Sequence, residues 1–222
     1  MGKFSESPDR VWLLGEWKTV VTMMVKADTI TRMQTERTQG WHGAAPEPRC
    51  VGLMALAMAQ HRANFDLWHE EDKARNPQAA DAEIARVKHA IDGLNQRRND
   101  LVQQMDEWLL REFGEQNGEA PLHSETPGLM IDRLSILALK IFHTEEESVR
   151  ESASAEHRTR NRERLAILIA QRDDLAGCLD ALLDEVRRGK RRFKLYCQLK
   201  MYNDPELNPV LYGQMAGGRS GS

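Results

Sequence analysis

Apolar residues recur every three or four positions along two long segments without proline, and this period constrains the fold more than any other feature. The first series is Ile84, Val87, Ile91, Leu94, Leu101, Met105 and Trp108, and the second is Leu165, Leu168, Leu175, Leu179, Leu182 and Val186. Such spacing is typical of amphipathic helices. Because no strand-like alternation lies between the Gly and Pro breaks, the sequence predicts an all-α protein.

Gly and Pro residues divide the helical pattern into five segments. We predict helices over about residues 9–37, 51–75, 80–113, 127–150 and 153–188, followed by a short C-terminal segment. Thr126 and Pro127 suit the start of the fourth helix, and Gly189 suits the end of the fifth. Long helices joined by short turns favour an antiparallel up-and-down bundle of about four long helices, with an additional N-terminal helix. The fourth is predicted to be the most buried, since several of its faces are apolar.

Length and composition fit one globular domain with extensions. The chain has 222 residues, of which 41% are hydrophobic and 29% are charged, as in folded proteins. We assign residues 1–49 to an N-terminal helix and linker that packs on the bundle or on a partner. Residues 50–212 form the bundle, and the Gly/Ser-rich residues 213–222 are predicted to be a disordered tail. The net charge of -3 argues against general nucleic-acid binding.

The N-terminal sequence and the cysteines indicate the compartment. Glu16 and Lys18 interrupt the apolar run of residues 11–25, and no small-residue cleavage site follows, so a signal peptide is not predicted. No stretch reaches the roughly 18 to 20 apolar residues of a transmembrane helix. The 3 cysteines, Cys50, Cys178 and Cys197, form no CxxC pair and suit free thiols. We therefore expect a cytoplasmic protein without a membrane span.

Polar and charged residues interrupt the apolar stripes of four helices. Arg98 stands in the third stripe and Arg172 in the fifth, while the fourth carries Asp132 and His143. The stripe of the second helix becomes polar towards its end, with His61, Asn64, Trp68, Glu71 and Arg75. A charge on a buried stripe must be paired, or it costs several kcal/mol. We therefore expect these residues to meet in the interior.

Distances from the helix turns place the polar residues at two levels of the bundle. Across the turn after residue 150, Asp132 comes opposite Arg172, so an ion pair is predicted between them. The second level is predicted to contain His61, Asn64, Asn95, Arg98 and His143. The alternative is that the buried charges are structural salt bridges that fix the register of the helices.

Four sequence blocks resemble those of a bacterial family. They are residues 64–75 (NFDLWHEEDKAR), 91–100 (IDGLNQRRND), 124–141 (SETPGLMIDRLSILALKI) and 198–212 (QLKMYNDPELNPVLY). In this order they are similar to the blocks of DUF4254, a family of unknown function. The resemblance covers about residues 61–212, is weak over the first 50 residues, and departs slightly at Cys197 and Leu199. Because family members often lie near sugar-transfer genes, it implies a role in surface-polysaccharide synthesis and no particular reaction.

Familiar catalytic and cofactor patterns do not match this sequence. His69-x-x-Asp72 and His143-x-x-Glu146 reverse the Glu-x-x-His order of di-iron bundles, so no metal site is predicted. Glu71-Asp72 with Asn99-Asp100 lacks the spacing of the magnesium motifs in all-α nucleotide pyrophosphatases. Nucleophile-elbow, Walker and Rossmann motifs are absent. The cofactor stays unknown, and enzymatic activity stays an open question.

Anion binding is the best-supported chemistry. Basic residues are frequent over residues 187–200, beside Tyr196 and Tyr202. The start of the fourth helix offers backbone N–H groups, and Gly128 allows a ligand to approach them closely. We expect a phosphate or phosphosugar between these two elements. The alternatives are a solvated helix C-terminus, whose dipole suits basic residues, and an RNA-binding patch.

The leading hypothesis is a polar pocket for an anionic phosphosugar or nucleotide-sugar ligand. The candidate acid–base residues are Glu71, Asp72 and Asp132. The candidate ligand-binding residues are Asn64, Trp68, Arg75, Asn95, Arg98, Glu125, Arg133, His143, Arg172, Lys194, Lys200, Tyr202 and Asn203. The rival hypothesis is a non-catalytic adaptor or dimerising scaffold. In that case the amphipathic N-terminal segment, with Trp12 and Trp17, binds a partner helix or a second copy.

Overall fold

Five helices make up the part of the chain that the computed structural model describes, which is residues 26–43, 46 and 48–196. They are α1 (Ala27–His42), α2 (Gly52–Ala74), α3 (Asp81–Phe113), α4 (Pro127–Val149) and α5 (Ala155–Arg187). These residues contain no sheet, and their only β-type pairing is an isolated bridge between Leu122 and Arg192. The predicted all-α fold is confirmed.

The ends of α2 to α5 lie close to the predicted limits because local signals define them. The Thr126 hydroxyl accepts a hydrogen bond from the Leu129 N–H at 3.3 Å, and Pro127 occupies the first turn of α4. Gly189 follows α5 with a φ of 66°, which glycine adopts without strain. The predicted end of the first helix near residue 37 is wrong, since Gly40 lies inside α1 and the helix continues to His42.

α4 lies at the centre of the bundle and contacts each of the other four helices. Its residues Ile131, Leu134 and Leu139 are almost completely buried, as predicted for the most apolar helix. Short connections join α2 to α3 and α4 to α5, whereas the longer residues 114–126 join α3 to α4. α3 and α4 run antiparallel, because Arg98 contacts Asp132 and Asp106 contacts Gly128. α1 runs parallel to α2, because Thr38 contacts His61 and, one turn later in both helices, His42 packs on Phe65.

The apolar core includes α1 as a full member. Ala27 and Ile30 of α1 are inaccessible to solvent and belong to one cluster with Leu53, Met105 and Leu179 from α2, α3 and α5. The backbone N–H of Ala27 also donates to the Asp180 side chain at 2.8 Å, which fixes the start of α1 on α5. The residues from Ala27 onward therefore pack on their own bundle.

Part of the α4 surface stays uncovered between α3 and α5. These two helices make little direct contact with each other. Between them α4 presents Arg133, Ile136 and Lys140, of which the two basic side chains are exposed. The candidate sites described below lie along this opening.

The remaining expectations concern the membrane, the cysteines and the N-terminal segment. None of the helices in the described residues combines the length and apolarity that a bilayer crossing requires. Cys50 and Cys178 are free thiols. Cys197 lies outside the described residues, as do Trp12, Trp17 and the rest of the predicted docking segment.

Candidate functional site

A buried carboxylate, Asp132 of α4, joins three helices. Its Oδ1 accepts hydrogen bonds from Gln60 Nε2 at 2.5 Å and Asn64 Nδ2 at 3.0 Å, both in α2. Arg98 of α3 donates its Nε to Oδ1 at 2.7 Å and its Nη2 to Oδ2. The Asp132 side chain is 6% exposed, so this is a buried, charge-assisted pair. The hydrogen bond with Asp132 raises the pKa of Arg98, which stays charged.

A chain of hydrogen-bonded, uncharged side chains lies beside the Asp132 carboxylate. Asn64 Nδ2 donates to Ser135 Oγ at 2.9 Å, and Ser135 Oγ lies 2.7 Å from His61 Nδ1. His61 Nε2 lies 2.8 Å from the Gln34 carbonyl of α1. Because a carbonyl only accepts, Nε2 carries the proton and Nδ1 accepts from Ser135. Burial lowers the pKa of His61 to about 4, against the opposing effect of the Gln34 hydrogen bond, so the ring is neutral at pH 7.

A cavity of about 240 Å³ lies next to this polar cluster. It is lined by residues of α2, α3 and α4, namely Asn64, Leu67, Trp68, Glu71, Arg75, Arg98, Ile136 and Leu139. The α2 members follow the three-to-four-residue helical spacing and so share one face. Arg98 borders the cavity while Asp132 does not, so the guanidinium separates the buried carboxylate from the open space.

The rim of the cavity carries an exposed charge network at the end of α2. Arg75 Nη2 lies 3.3 Å from Glu71 Oε2, and Arg75 Nη1 lies 3.2 Å from Asp72 Oδ1. All three side chains are substantially exposed, so water and salt weaken these ion pairs. A ligand can therefore replace these ion pairs with little loss of free energy.

Trp68, which borders the cavity, is held in place by its contact with His143. The Trp68 ring stacks on the imidazole of His143, with centroids 4.9 Å apart and planes 12° apart. His143 Nδ1 in turn lies 2.9 Å from Glu146 Oε2. His143 Nε2 is buried and has no hydrogen-bond partner among the described residues. These contacts fix the orientation of the indole that borders the cavity.

A larger groove of about 700 Å³ runs between α4 and α5. Its lining residues are His123, Glu125, Met130, Arg133, Ile136, Leu137, Lys140, Gln171, Asp174, Leu175 and Cys178. Arg133 Nη1 donates to both carboxylate oxygens of Glu125 at 2.9 Å. Within the described ranges, no group of three or more His, Cys, Asp or Glu residues is placed to hold a metal ion.

The predicted ion pair between Asp132 and Arg172 is wrong. Asp132 pairs with Arg98, and Arg172 Nη2 lies 2.8 Å from its neighbour Asp173. Distances from a turn give the height of a residue along a helix, but they do not give the direction in which its side chain points. Asp132 faces α2 and α3, whereas α5 packs against a different face of α4, which includes Leu137.

The predicted anion site at the start of α4 is also wrong. Its Gly128 N–H already donates to Asp106 Oδ1 at 2.7 Å. A Cβ on Gly128 would lie 2.6 Å from the Val102 carbonyl oxygen, so this glycine lets α3 and α4 approach each other. Asp106, a buried acceptor at the helix N-terminus, takes the place that the anion was expected to occupy.

Part of the basic run after α5 is paired within the chain. Arg188 lies 3.1 Å from Asp184, and Arg191 lies 3.0 Å from Glu185. Arg192 Nε donates to the Ala120 carbonyl at 2.8 Å. Lys194 is exposed. Lys200, Tyr202 and Asn203 lie outside the described residues.

The other candidate residues fall into three groups. Asn64, Trp68, Glu71, Arg75 and Arg98 all line the 240 Å³ cavity. Immediately behind that lining are Asp132, which holds Arg98, and His143, which stacks on Trp68. Outside it are exposed Asp72, half-buried Asn95, and the Glu125–Arg133 pair in the groove.

Sequence reasoning missed several residues of the same site. Gln60 and Ser135 complete the polar cluster, and Leu67, Ile136 and Leu139 form apolar walls of the cavity. One signal for Ser135 was available, since it follows Asp132 by three residues and so shares its helix face. Gln60 gave no comparable signal, because its role depends on where α4 lies against α2.

The matched family model covers residues 54–195, which is most of the chain from α2 onward. Its description is "Protein of unknown function (DUF4254)". The chain belongs to the DUF4254 family. In this DUF4254 protein, the cavity takes its lining from within the matched range, whereas α1 lies before it. No curated protein and no solved structure shows significant similarity to the chain.

Two buried groups should give opposite pH dependences of stability in this DUF4254 protein. Burial raises the pKa of Asp106 to about 6, so its contribution to stability decreases as the pH rises through 6. The pKa of His61 is lowered to about 4, so its contribution decreases as the pH falls from 6.5 towards 4. Between pH 7 and pH 5 the two effects therefore oppose each other.

Replacing Asp106 by asparagine should remove the opposing contribution and leave the loss of stability due to His61 as the pH falls. The amide keeps an acceptor for the Gly128 N–H but takes up no proton, so on going from pH 7 to pH 5 the variant should lose about 1.4 kcal/mol relative to the parent. Urea unfolding at pH 7, 6 and 5 measures this difference. Asp174→Asn, at an exposed position of α5, is the matched control and should follow the parent. Parallel profiles for Asp106→Asn and the parent would show that Asp106 does not titrate in this range.

Proposed function

We propose that this protein binds a small anionic sugar derivative, such as a sugar phosphate, in the cavity bordered by Trp68, Glu71 and Arg98. The observation that carries the proposal is the convergence on one cavity of an indole, a carboxylate and a guanidinium that a buried carboxylate orients. The link of the family to sugar-transfer genes suggests a role in bacterial surface-polysaccharide synthesis, in the cytoplasm. The proposal concerns binding and requires no reaction.

Arg98 supplies the anion-binding group of the proposed site. It uses Nε and Nη2 to hold Asp132, which leaves Nη1 for a ligand oxygen. A guanidinium fixed in this way loses little conformational entropy when an anion binds. Asp132 thus acts as a positioning residue, because Gln60, Asn64 and Arg98 already occupy its oxygens.

Trp68 and Glu71 suit a sugar ring. An indole face packs against the apolar face of a pyranose, and a carboxylate accepts hydrogen bonds from its hydroxyls. The cavity of about 240 Å³ is smaller than the roughly 300 to 1,000 Å³ of sites for drug-sized ligands, so it suits one sugar ring. If a proton is transferred, Glu71 is the candidate acid or base, because it borders the cavity and is partly exposed.

A thermal-shift screen with sugar phosphates and nucleotide sugars tests the proposal. A ligand present at about 100 times its Kd stabilises the folded state by about 2.7 kcal/mol, which raises the Tm measurably. Trp68→Leu and Glu71→Gln should reduce the shift, while Asp72→Asn, an exposed neighbour that does not line the cavity, should preserve it. The absence of any shift across the panel, with a normally folded parent, would contradict the proposal.

The second candidate function is a non-catalytic scaffold. It is favoured by the polar cluster itself, because Asp132 and Arg98 satisfy each other in the interior as a register-fixing pair would. In this case no panel compound shifts the Tm, and light scattering on the full chain gives a dimer. Ligand binding that depends on Trp68 and Glu71 would instead favour the sugar site.

A further inference from the structure

The cavity at Trp68 and the groove between α4 and α5 share a wall. Ile136 of α4 lines both of them, and no other residue lines both. Its side chain lies in the gap that α3 and α5 leave open, so the two spaces adjoin on the same side of the bundle. A ligand longer than one sugar ring can therefore cross Ile136 from the cavity into the groove.

The groove presents two cationic side chains on the same helix as Ile136. Arg133 lies three residues before it and Lys140 four residues after it, which is roughly 4.5 Å and 6 Å along the helix axis. Lys140 is exposed and makes no ion pair within the described part of the chain. Arg133 gives only Nη1 to Glu125, so its other guanidinium nitrogens are available to a ligand.

The opposite wall of the groove belongs to α5 and carries an acidic residue where α4 carries basic ones. Asp174 is exposed and has no ion-pair partner in the described ranges. Carboxylates are common partners of ribose hydroxyls. The groove lining also includes half-buried Leu137 of α4, against which a flat base can pack, while Met130 and Leu175 form the buried apolar floor beneath it.

We infer that the cavity and the groove form one continuous site for a nucleoside diphosphate sugar, an inference that rests on the proposed function. The sugar lies at Trp68 with the adjacent β-phosphate on Arg98. The α-phosphate crosses Ile136 to Lys140 and Arg133, and the ribose diol binds Asp174. The groove of about 700 Å³ accommodates a nucleoside, which the smaller cavity does not.

Calorimetric titration of the whole ligand and of its two halves tests the inference. The probes are UDP-glucose with UDP and glucose 1-phosphate, and GDP-mannose with GDP and mannose 1-phosphate. At least one nucleotide sugar should bind 10-fold or more tightly than either of its halves. Lys140→Met should weaken that nucleotide sugar and the free diphosphate by about tenfold and leave the sugar phosphate unchanged. Lys88→Met, at an exposed position in the first half of α3, is the matched control and should change none of them.

The outcomes separate the inference from the proposed function. If the sugar phosphate binds and the nucleotide sugar binds no more tightly, the continuous site is wrong while the proposed function stands. The same holds if the sugar phosphate binds and Lys140→Met does not change the affinity for the nucleotide sugar. If only the diphosphates bind, or nothing in either set binds, both are wrong. Glu71→Gln should weaken the sugar phosphate and the nucleotide sugar but not the free diphosphate, and any other pattern overturns the placement of the sugar at Trp68.

Discussion

Replacing Asp132 by alanine is expected to lower the free energy of unfolding by about 3 to 5 kcal/mol, the usual cost of leaving one partner of a buried ion pair alone. The variant removes the acceptor for Arg98, Gln60 and Asn64 at once, while Arg98 stays charged in a site closed on most sides. Urea unfolding at pH 7 measures the loss.

Two comparisons make the Asp132 result specific. Arg172→Ala removes the arginine that the sequence places opposite Asp132, but its carboxylate partner is its own neighbour Asp173, so a change within about 0.5 kcal/mol is expected. The double variant Arg98→Met with Asp132→Leu removes both charges and should recover much of the lost stability. A loss below about 1 kcal/mol for Asp132→Ala would mean that the pair contributes little to the fold.

Gly128→Ala is expected to cost about 3 kcal/mol, at the upper end for an overpacked position. The added Cβ would lie 2.6 Å from the Val102 carbonyl oxygen and 2.8 Å from Asp106 Oδ1. A backbone carbonyl cannot rotate away as a flexible side chain can, so α3 and α4 would have to separate.

Gly177→Ala is the matched control for Gly128→Ala. Both glycines lie in helices, but a Cβ at Gly177 of α5 would have no neighbour within 4 Å. Alanine should therefore stabilise the protein there by about 0.5 to 1 kcal/mol, through its higher helix propensity. Thermal unfolding of both variants should give Tm changes of opposite sign. Equal small changes would mean that α3 and α4 adjust freely at Gly128.

Local chemistry allowed most helix boundaries to be predicted from the sequence. Thr126 caps α4, and Gly189 ends α5, because the physical signal lies within a few residues. The end of α1 is the exception, because Gly40 resembles a helix break in the sequence yet lies inside the helix. A single glycine inside a helix costs only about 1 kcal/mol, which tertiary packing offsets.

The candidate site was only partly predictable. The face of α2 with Asn64, Trp68 and Glu71 follows from helical periodicity alone, so these residues could be grouped. The predicted partner of Asp132 was Arg172 and the actual partner is Arg98, because the pairing depends on the rotation of α4 about its own axis. Packing of all five helices sets that rotation, and no short stretch of sequence encodes it.

The packing of α1 shows that the folded bundle extends beyond the region that defines the family. The region that defines the family begins at residue 54, yet Ala27 and Ile30 fill the core and the Gln34 carbonyl fixes the proton on His61. A fragment cut at the family boundary would lack α1, so the Ile131 carbonyl would lose its Gln34 donor and His61 would lose its acceptor. The unit that folds is therefore longer at its N-terminal side than the unit by which relatives are recognised, and truncations designed for expression should begin ahead of Ala27.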